Sequence, residues 1–419
     1  MRIAITSDTY YPMTNGVAVF THNLAKGLAA RGHEVLVLVP SFRRRKYVSR
    51  KDGPTVFYLS SKRFPFYPDQ IHKIPERKKF LGVKLPRFRY KNGIWMATNA
   101  WSEMKKALDE FQPDVIHMQM VGPTGVAAVH YARKNNVPLV STGHTYPDNY
   151  TSQFKLLKPI KKPADAAVRA YMASFMKKSA YATMPTEMAI ADLVPKNRKK
   201  FQVPVEALSN GVDLSEFKPG KPAEAVLSKY KIDAKKPRVV YVGRVDPEKS
   251  IGNVIKAFSL VLPKVPEAEM LVVGEGIDKI NLESLVADMG LSKKIRFLGK
   301  IMLPDLVEIY RCGTLFATAS ETETQGIVLI EAAAVGLPLV AVDAGAVGEL
   351  CQNRKNGALC QPGDVTGISR AMVKILTDKK IAKEYSKASI EIAKKHDINH
   401  TLKRFEEIYR TAIETFNKA

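Results

Sequence analysis

The feature that most limits the fold is an alternation of short apolar segments with helical ones, which begins at the second residue. The apolar segment Arg2–Ser7 is followed by a loop that ends in Asn15-Gly16. Val17–Arg31 then has helical periodicity, and Glu34–Pro40 is again apolar. Strand, glycine loop, helix and strand in this order are typical of a doubly wound parallel sheet. The start of the chain therefore predicts a βαβ unit.

The same order of segments starts again in the second half of the chain. Arg238–Val242 and Glu269–Val273 are apolar and strand-like, and the helical segment Ile251–Leu262 lies between them. Two successive α/β halves predict two Rossmann-like domains. The stretch Ser209–Pro222 contains Asn, Gly, Asp and Pro, which favours a boundary there. We therefore predict domains at residues 1–207 and 208–400.

Positive charge is concentrated in the first half of the chain. Residues 1–200 carry 34 Lys and Arg against 13 Asp and Glu, whereas residues 201–419 carry 31 against 28. The excess comes from segments 41–91 and 155–200. Such a concentration of positive charge favours an anionic partner. The two classes of partner that it suits are a membrane surface and a nucleic acid. No segment resembles a nucleic-acid-binding module, so we expect no nucleic-acid partner.

The cysteines and the apolar runs argue against a disulfide or metal-thiolate protein and against a membrane-spanning one. Cys312, Cys351 and Cys360 have neither metal-ligand nor redox spacing, so we predict reduced thiols in the core. No signal peptide is visible, and no run approaches the roughly 20 apolar residues that a spanning helix needs.

The loop after the strand Arg238–Val242 combines two cations with a predicted helix start. Gly243-Arg244 and Lys249 fall between this strand and Ile251. A helix N-terminus favours an anion, and Arg and Lys add full charges. The loop therefore predicts a diphosphate site, although two isolated cations of this spacing would also suit a solvated surface.

A second segment holds two acids eight residues apart, Glu323 and Glu331, on either side of Gly326. Gly326 opens the apolar helical run Ile327–Val335. Glu323 precedes this helix, where its carboxylate can accept hydrogen bonds from sugar hydroxyls, and Glu331 lies within it, on the side where it could reach ribose hydroxyls. Taken alone, the spacing also fits an ordinary helix with acids near its N-terminus.

Ordered motifs along nearly the whole chain resemble glycosyltransferase family 4, whose members are retaining enzymes of the GT-B fold. Their order is what makes the resemblance specific. The motifs are Tyr10–Gly16, Gly32–Val35, Asp114–His117, Gly143–Thr145, Ser209–Leu214, Gly243-Arg244 with Lys249, Gly274–Gly276, Phe297–Gly299, Glu323 with Glu331, and Ala333–Pro338.

The resemblance implies two Rossmann-like domains that face each other across a cleft, with a C-terminal helix at 401–419 that packs on the first domain. It also implies transfer from a nucleotide sugar without an essential metal or other cofactor. Arg244 and Lys249 would neutralise the leaving diphosphate. Glu323 would hold sugar hydroxyls, and His144 would contact the transferring sugar or its phosphate. These four are the expected catalytic residues.

The resemblance further implies a donor-binding set. Gly16 would let the backbone approach the diphosphate, Glu331 would hold the ribose, and Phe297–Ile301 would line the base pocket. The full expected set is Gly16, Gly243, Arg244, Lys249, Gly274, Phe297, Leu298, Ile301, Thr324, Gln325, Gly326, Ile327 and Glu331.

The basic first half would face the acceptor. Basic residues at 43–46, 50–51 and 77–79 are interleaved with aromatic ones, which suits an anionic membrane surface. Lys155–Lys178 predicts an amphipathic helix that could add to it. The expected acceptor or membrane contacts are His117, Tyr146, Arg43, Arg44, Arg45, Lys46, Lys161 and Lys162.

A narrower resemblance concerns the acceptor. Thr322–Gly326 and Gly143–Tyr150 are similar to segments of bacterial diacylglycerol glucosyltransferases. They imply transfer of a hexose, glucose from a UDP-linked donor, to a membrane lipid such as diacylglycerol. The enzyme would then be cytoplasmic and peripherally associated with the inner face of the cell membrane. A phosphatidylinositol or other mannosyltransferase, a transferase to a soluble acceptor and a nucleotide-sugar epimerase remain as alternatives.

Overall fold

The computed structural model describes residues 1–11, 13, 15–50, 53–63, 95–146, 160–194 and 201–416, together with the backbone of 71–80, 83–90 and 417–418. The chain forms two compact units. The first unit comprises Met1–Met184, Ala191–Glu206 and Arg404–Ala419, and the second comprises Pro185–Ile190 and Ala207–Lys403.

An eight-stranded sheet forms the core of the first unit. Its strand order is β12-β11-β10-β9-β1-β2-β4-β3. Two small antiparallel pairs, β5 with β8 and β6 with β7, lie outside this sheet. In chain order the elements are β1 (Arg2–Thr6), α1 (Gly16–Ala30), β2 (Glu34–Pro40), β3 (Tyr47–Ser49), β4 (Thr55–Leu59), β5 (Ser61–Arg63), β6 (Ile71–Phe80), β7 (Val83–Tyr90), β8 (Trp95–Ala97), α2 (Ala100–Phe111), β9 (Val115–Met118), α3 (Pro123–Lys134), β10 (Leu139–Thr142), α4 (Lys161–Met176), β11 (Tyr181–Met184), α5 (Glu187–Leu193) and β12 (Val205–Ala207).

Strand β1 lies inside this sheet because its apolar side chains are covered on both faces. Ile3 pairs with Val35 of β2 on one side and with Val115 of β9 on the other, both in parallel register. All three residues are buried. Parallel strands bring their carboxyl ends to one edge, and this edge carries the segments in which His117 and His144 lie.

A six-stranded parallel sheet forms the core of the second unit, with the order β15-β14-β13-β16-β17-β18. Its elements, with the C-terminal helix, are α6 (Glu224–Lys229), β13 (Arg238–Val242), a short 3₁₀ turn (Pro247–Lys249), α7 (Ile251–Ser259), β14 (Glu269–Val273), α8 (Lys279–Asp288), β15 (Ile295–Gly299), α9 (Asp305–Arg311), β16 (Leu315–Ala317), α10 (Ile327–Ala334), β17 (Leu339–Val342), α11 (Val347–Leu350), β18 (Gly357–Cys360), α12 (Val365–Thr377), α13 (Lys379–Lys394) and α14 (Ile398–Lys418).

Alternate residues of β13 enter two separate apolar cores, one on each face of the sheet. Val240 and Val242 belong to one cluster, and Val239 and Tyr241 belong to the other. A strand covered by helices on both faces is apolar at nearly every position. This explains why the run Arg238–Val242 could be identified from sequence despite having no period-two pattern.

The C-terminal helix α14 starts in the second unit, and from Arg404 onward it belongs to the first. The guanidinium of Arg404 donates hydrogen bonds to both carboxylate oxygens of Glu206, at 2.8 and 2.6 Å. Farther along the helix, Glu406 accepts a hydrogen bond from His33 at 2.9 Å. These contacts fasten the end of the chain to the first unit.

The short segment Pro185–Ile190 belongs to the second unit, whereas the sequence analysis placed it in the first domain. Two long-range hydrogen bonds account for this. The hydroxyl of Thr186 donates to the carbonyl of Thr324 at 2.9 Å, and the amide of Met188 donates to Glu349 at 3.1 Å.

The predicted fold class is confirmed, since the chain contains two Rossmann-like α/β units with parallel sheets. The strands predicted at Glu34–Pro40, Arg238–Val242 and Glu269–Val273 have the predicted bounds. The predicted amphipathic helix Lys155–Lys178 is present as α4, and its residues 155–159 lie outside the described residues. No helix in the described ranges has both the length and the apolar composition needed to cross a bilayer.

Candidate functional site

Two glycine loops meet at the carboxyl ends of β13 and β14. Gly274 has a φ of +141°, and a Cβ atom there would lie 1.8 Å from the carbonyl oxygen of Gly243. Only glycine permits so close an approach of two backbones. The predicted donor residues Gly243 and Gly274 are thus brought together. The close approach of the two backbones by itself explains why position 274 is a glycine.

Lys249 and Glu323 form a largely buried ion pair beside these loops. Lys249 Nζ lies 2.6 Å from Glu323 Oε1 and 3.3 Å from Ser320 Oγ. Their side chains are only 12% and 19% exposed. Burial alone would raise the pKa of Glu323, but Lys249 and Ser320 outweigh it and hold that pKa below its ordinary value. Glu323 is therefore ionised, and its partner cation is already in place.

Arg244 is oriented by two acids of its own loop. One guanidinium nitrogen donates to Asp246, and another donates to Glu248 Oε1 at 2.6 Å. The side chain remains about a third exposed, so it keeps a face toward solvent. The positive charge of Arg244 also lowers the pKa of Glu323. Arg244, Lys249 and Glu323 therefore form one charged cluster.

The start of α10 supplies backbone donors next to this cluster. Gly326 precedes the helix with a φ of +86°, a conformation that favours glycine. Thr324 and Ile327, on either side, are half-buried. The amide groups at this helix start carry partial positive charge, which suits an anion.

Gln325, predicted in the donor-binding set, has a side chain engaged within the protein. It is 1% exposed. Its amide nitrogen donates to Ser209 Oγ at 2.7 Å, and its oxygen accepts from the Asn210 amide at 3.1 Å. The side chain thus ties the Ser209-Asn210 segment to the start of α10 and leaves only the backbone of Gln325 to face a ligand.

Glu331 lies one turn into α10 with an unusual proton affinity. Burial raises its pKa to about 7, despite a hydrogen bond from Tyr310 Oη to Glu331 Oε2 at 2.7 Å. Tyr310, on α9, was missed by the sequence analysis because it lies 21 residues away on another helix. The pair makes a carboxyl group that titrates near neutrality.

The predicted base-pocket segment lies at the end of β15. Phe297 and Leu298 are half-buried, whereas Ile301 is 7% exposed and belongs to the apolar core of the second unit. Between them, partial burial lowers the pKa of Lys300. Of the predicted residues here, Phe297 and Leu298 keep more exposed surface than Ile301.

In the first unit, His144 is buried two residues beyond β10. Its Nε2 lies 2.7 Å from Gln119 Oε1, and its ring centroid is 5.0 Å from that of Phe20. Burial lowers the pKa of His144 to about 3, so the imidazole is neutral at physiological pH. Gln119, which follows β9, was missed by the sequence analysis. A cavity of about 20 Å³ beside His144 has room for roughly one water molecule.

His117, predicted as an acceptor contact, has both ring nitrogens occupied. Nδ1 lies 2.7 Å from Tyr409 Oη of α14, and Nε2 lies 2.7 Å from Thr142 Oγ1. Thr142 continues this chain of hydrogen bonds to Thr183 at 2.7 Å. Burial holds the pKa of His117 well below its ordinary value. The side chain therefore links three strands to the C-terminal helix.

Gly16 opens α1 and is exposed, with the helix capped by Asn15, whose side chain accepts from the Ala18 amide at 2.8 Å. Its backbone therefore stands at a helix start, a position that suits an anion.

The predicted membrane contacts are spread over separate segments of the first unit. Arg44, Arg45 and Lys46 are exposed, and Arg43 lies over the Tyr47 ring at 5.2 Å. In α4, Lys162 is exposed and Lys161 pairs with Asp165 at 3.2 Å. Tyr146 is half-buried. Side chains of the basic stretch 64–94 lie outside the described residues.

The remaining chemistry-bearing side chains are the cysteines and the groups that could bind a metal ion. Within the described ranges, no group of three or more His, Cys, Asp and Glu side chains could hold a metal ion. The three cysteines are free. Cys312 and Cys351 are buried, as predicted for core thiols, whereas Cys360, also predicted in the core, is half-buried.

Two family models match successive parts of the chain. The model described as Glycosyltransferase Family 4 matches residues 14–216, and the model described as Glycosyl transferases group 1 matches residues 223–395. The two matched ranges correspond to the two halves that the sequence pattern separates.

Curated relatives resemble the chain over most of its length. It is 27% identical to an alpha-monoglucosyldiacylglycerol synthase from Acholeplasma laidlawii, over 85% of this chain and 84% of that protein. It is 28% identical to a GDP-mannose-dependent alpha-mannosyltransferase from Mycobacterium tuberculosis, over 87% of this chain and 85% of that protein.

Solved structures share the fold at low sequence identity. A sucrose-phosphate synthase from Thermosynechococcus elongatus matches with a TM-score of 0.77 at 18% identity, covering 100% of this chain and 99% of that one. The Anabaena protein HepE in complex with UDP and glucose matches with a TM-score of 0.72 at 17% identity, covering 98% and 100%.

Proposed function

Since the chain belongs to the family 4 glycosyltransferases, we propose that it transfers glucose from a UDP-linked donor to diacylglycerol, with retention of configuration. The observation that carries the donor half is the buried pair of Lys249 and Glu323 beside Arg244 and the start of α10. The acceptor half is supported by the similarity to alpha-monoglucosyldiacylglycerol synthases from two bacteria.

The charged cluster suits a reaction in which negative charge grows on a leaving diphosphate. Arg244 and Lys249 are held by protein carboxylates before any ligand binds. Preorganised cations and amide dipoles stabilise a developing anion without reorganising during the reaction. On this proposal both cations turn toward the diphosphate, and the charge that a metal would otherwise supply comes from the protein.

Glu323 and Glu331 have distinct tasks in this proposal. Glu323 is ionised, so it accepts hydrogen bonds from the hydroxyls of the transferred sugar. Glu331, whose pKa is about 7, accepts from the ribose once it is deprotonated. His144 is neutral, so it contributes a hydrogen bond and no charge. The departing phosphate takes up the proton of the acceptor hydroxyl. The acceptor oxygen attacks the anomeric carbon from the same face as the leaving phosphate, so the anomeric configuration is retained.

The acceptor proposal has a physical basis in the first unit. Exposed cations at Arg44–Lys46 suit an anionic bilayer, where each Lys or Arg contributes about 1 kcal/mol. The enzyme would then work at the inner face of the cell membrane as a peripheral protein, where diacylglycerol is within reach.

A second candidate is transfer of mannose from GDP-mannose, and one comparison favours it. The similarity to the GDP-mannose-dependent mannosyltransferase has the same extent as that to the glucosyl-lipid synthase. The same cluster would serve either donor, because it addresses the diphosphate and ribose that UDP and GDP share.

The deciding experiment incubates the protein with labelled UDP-glucose or GDP-mannose and vesicles that contain diacylglycerol or phosphatidylinositol. We expect label in the organic phase with UDP-glucose and diacylglycerol only. Label with GDP-mannose alone would favour the second candidate. Transfer of label only to water-soluble products would contradict a lipid acceptor.

A further inference from the structure

A pocket of about 210 Å³ lies in the first unit at the edge of the sheet opposite to His144. Its lining includes Leu139, the first residue of β10, and Ala180, which directly precedes β11. His144 follows the other end of β10. The pocket is therefore separate from the site described above.

Three helices end at this pocket. Ala132 and Arg133 come from the last turn of α3, Lys177 and Lys178 follow α4, and Phe416 comes from the last turns of α14. The apolar lining residues are Ala132, Val137, Leu139, Ala180 and Phe416, and the basic ones, Arg133, Lys177 and Lys178, are called the rim cations below. The rim carries three cations, and among the described lining residues none is acidic.

The three rim cations have no carboxylate partner in the described part of the chain. Lys177 Nζ lies 5.6 Å from the centre of the Phe201 ring, and Lys178 Nζ lies 4.8 Å from that of Phe175. Arg133, Lys177 and Lys178 are exposed, and none forms an ion pair with a carboxylate in the described part of the chain. By contrast, Lys161 on the same helix is paired with Asp165 at 3.2 Å.

Basic residues at helix ends can offset the helix dipole without binding anything. That explanation accounts for the charges of Arg133, Lys177 and Lys178. It does not account for a pocket of about 210 Å³ among them with an apolar lining and an exposed aromatic ring, since Phe416 is 37% exposed. The combination suits a ligand with an anionic head and a short apolar portion.

We propose that this pocket binds a phosphate ester with an attached hydrocarbon portion. The phosphate would receive hydrogen bonds from Arg133, Lys177 and Lys178, because charge-assisted bonds to phosphate are among the strong ones. The hydrocarbon would lie against Phe416 and Leu139. The pocket volume of about 210 Å³ is far above the roughly 10–15 Å³ that one water molecule needs, so a phosphate with a few carbons fits inside. Such a ligand would fasten the end of α14 to α3 and α4.

A phosphate attached to a hydrocarbon occurs both in soluble phosphate esters and in phospholipid headgroups. Titration with soluble and vesicle-bound phosphates distinguishes the two sources. The full-length protein is titrated with inorganic phosphate, hexyl phosphate, and vesicles of phosphatidylglycerol or phosphatidylcholine. The amide resonances of Ser179 and Ala180 report binding at the pocket and not at the predicted diphosphate site. These titrations measure binding and not sugar transfer. A negative result would therefore contradict the pocket proposal without contradicting the transferase proposal, and a failed transferase assay would not contradict the pocket proposal.

We expect hexyl phosphate to shift both resonances. The triple variant Arg133→Gln, Lys177→Gln, Lys178→Gln should weaken that binding at least about tenfold, since each charge-assisted bond contributes on the order of a tenfold change. Lys134→Gln, a neighbouring exposed charge on α3 that does not line the pocket, is the matched control and should bind normally.

Phe416→Ala tests the apolar half of the site. It should weaken hexyl phosphate and leave inorganic phosphate unchanged. If phosphatidylglycerol vesicles shift the same two resonances and phosphatidylcholine does not, the source is a lipid headgroup; if neither vesicle does while hexyl phosphate binds, the source is a soluble ester. The proposal is overturned if no probe shifts Ser179 and Ala180, or if the triple variant binds hexyl phosphate as well as the wild type does.

Discussion

The cations of the candidate site in the second unit and two groups of exposed cations in the first unit differ in whether they have carboxylate partners. In the second unit, the cations of the candidate site are matched by carboxylates, as in the Lys249–Glu323 and Arg244–Glu248 pairs, both at 2.6 Å. In the first unit, exposed cations at Arg44–Lys46 and around the pocket at Lys177 stand without such matching among the described residues. Paired cations are held in position for a ligand, whereas unmatched cations offer their charge to an anion outside the protein.

The largest expected effect on activity comes from removing one partner of the Lys249–Glu323 ion pair in the second unit. Lys249→Ala should lower the rate of sugar transfer by about 100- to 1000-fold, since removal of one preorganised electrostatic contact typically has that effect. Lys229→Gln is the matched control, because Lys229 also pairs with a carboxylate at 2.6 Å but its side chain is 62% exposed. Steady-state kinetics on both folded variants measure the difference. A Lys249→Ala enzyme with near-normal activity would remove the cluster from the catalytic site.

The next effect concerns the unmatched charge of the first unit. Reversal of Arg43, Arg44, Arg45 and Lys46 to Glu should weaken binding to anionic vesicles by about several hundredfold, because four cations worth about 1 kcal/mol each contribute about 4 kcal/mol together. Nucleotide affinity should not change. Vesicle sedimentation and calorimetry provide the two measurements.

The control for that reversal applies the same change of net charge to the other unit. Lys379, Lys380, Lys383 and Lys387 on α13 are exposed and can also be changed to Glu. Equal weakening by both sets would mean that vesicle binding follows net charge and has no preferred surface.

A smaller, pH-dependent effect is expected at Glu331. Its pKa of about 7 in the folded protein means that its ionised fraction rises from about one tenth at pH 6 to about nine tenths at pH 8. Ribose hydroxyls donate to the ionised form, so the affinity for UDP-glucose should rise about tenfold over this range. Calorimetric titrations at several pH values test this, and Glu331→Gln should flatten the profile. An equally steep profile in Glu331→Gln would assign the titration to another group.

The smallest expected effect is that of removing divalent metal. If the paired cations of the second unit supply the charge that the diphosphate needs, EDTA should leave the transfer rate unchanged within about twofold. If EDTA abolished sugar transfer and Mg²⁺ or Mn²⁺ restored it, the charge of Arg244 and Lys249 would be insufficient to stabilise the leaving diphosphate.

Much of the donor side was accessible from sequence because its parts are close along the chain or follow strands. Arg244, Lys249 and Glu323 follow adjacent strands β13 and β16, and the carboxyl ends of parallel strands meet at one edge. Their partners were less accessible. Tyr310 reaches Glu331 from another helix, and Gln119 reaches His144 from another strand, because such contacts depend on how elements pack.

Two residues show where sequence reasoning assigned more function than their surroundings suggest. Gln325 and His117 lie in motifs of the resemblance, yet their side chains are buried and bonded to other parts of the protein. A motif identifies a position, and only the packing tells whether the side chain faces a ligand or the interior.

The sequence by itself determined the two α/β halves, the strand bounds at β2, β13 and β14, the glycine loops and the family, because buried parallel strands and tight turns constrain residue types locally. Only the tertiary structure decided which charges are paired, which carboxyl group titrates near pH 7, and that Arg133, Lys177 and Phe416 border one pocket. These properties depend on distance and burial between residues far apart in the chain, which no local pattern encodes.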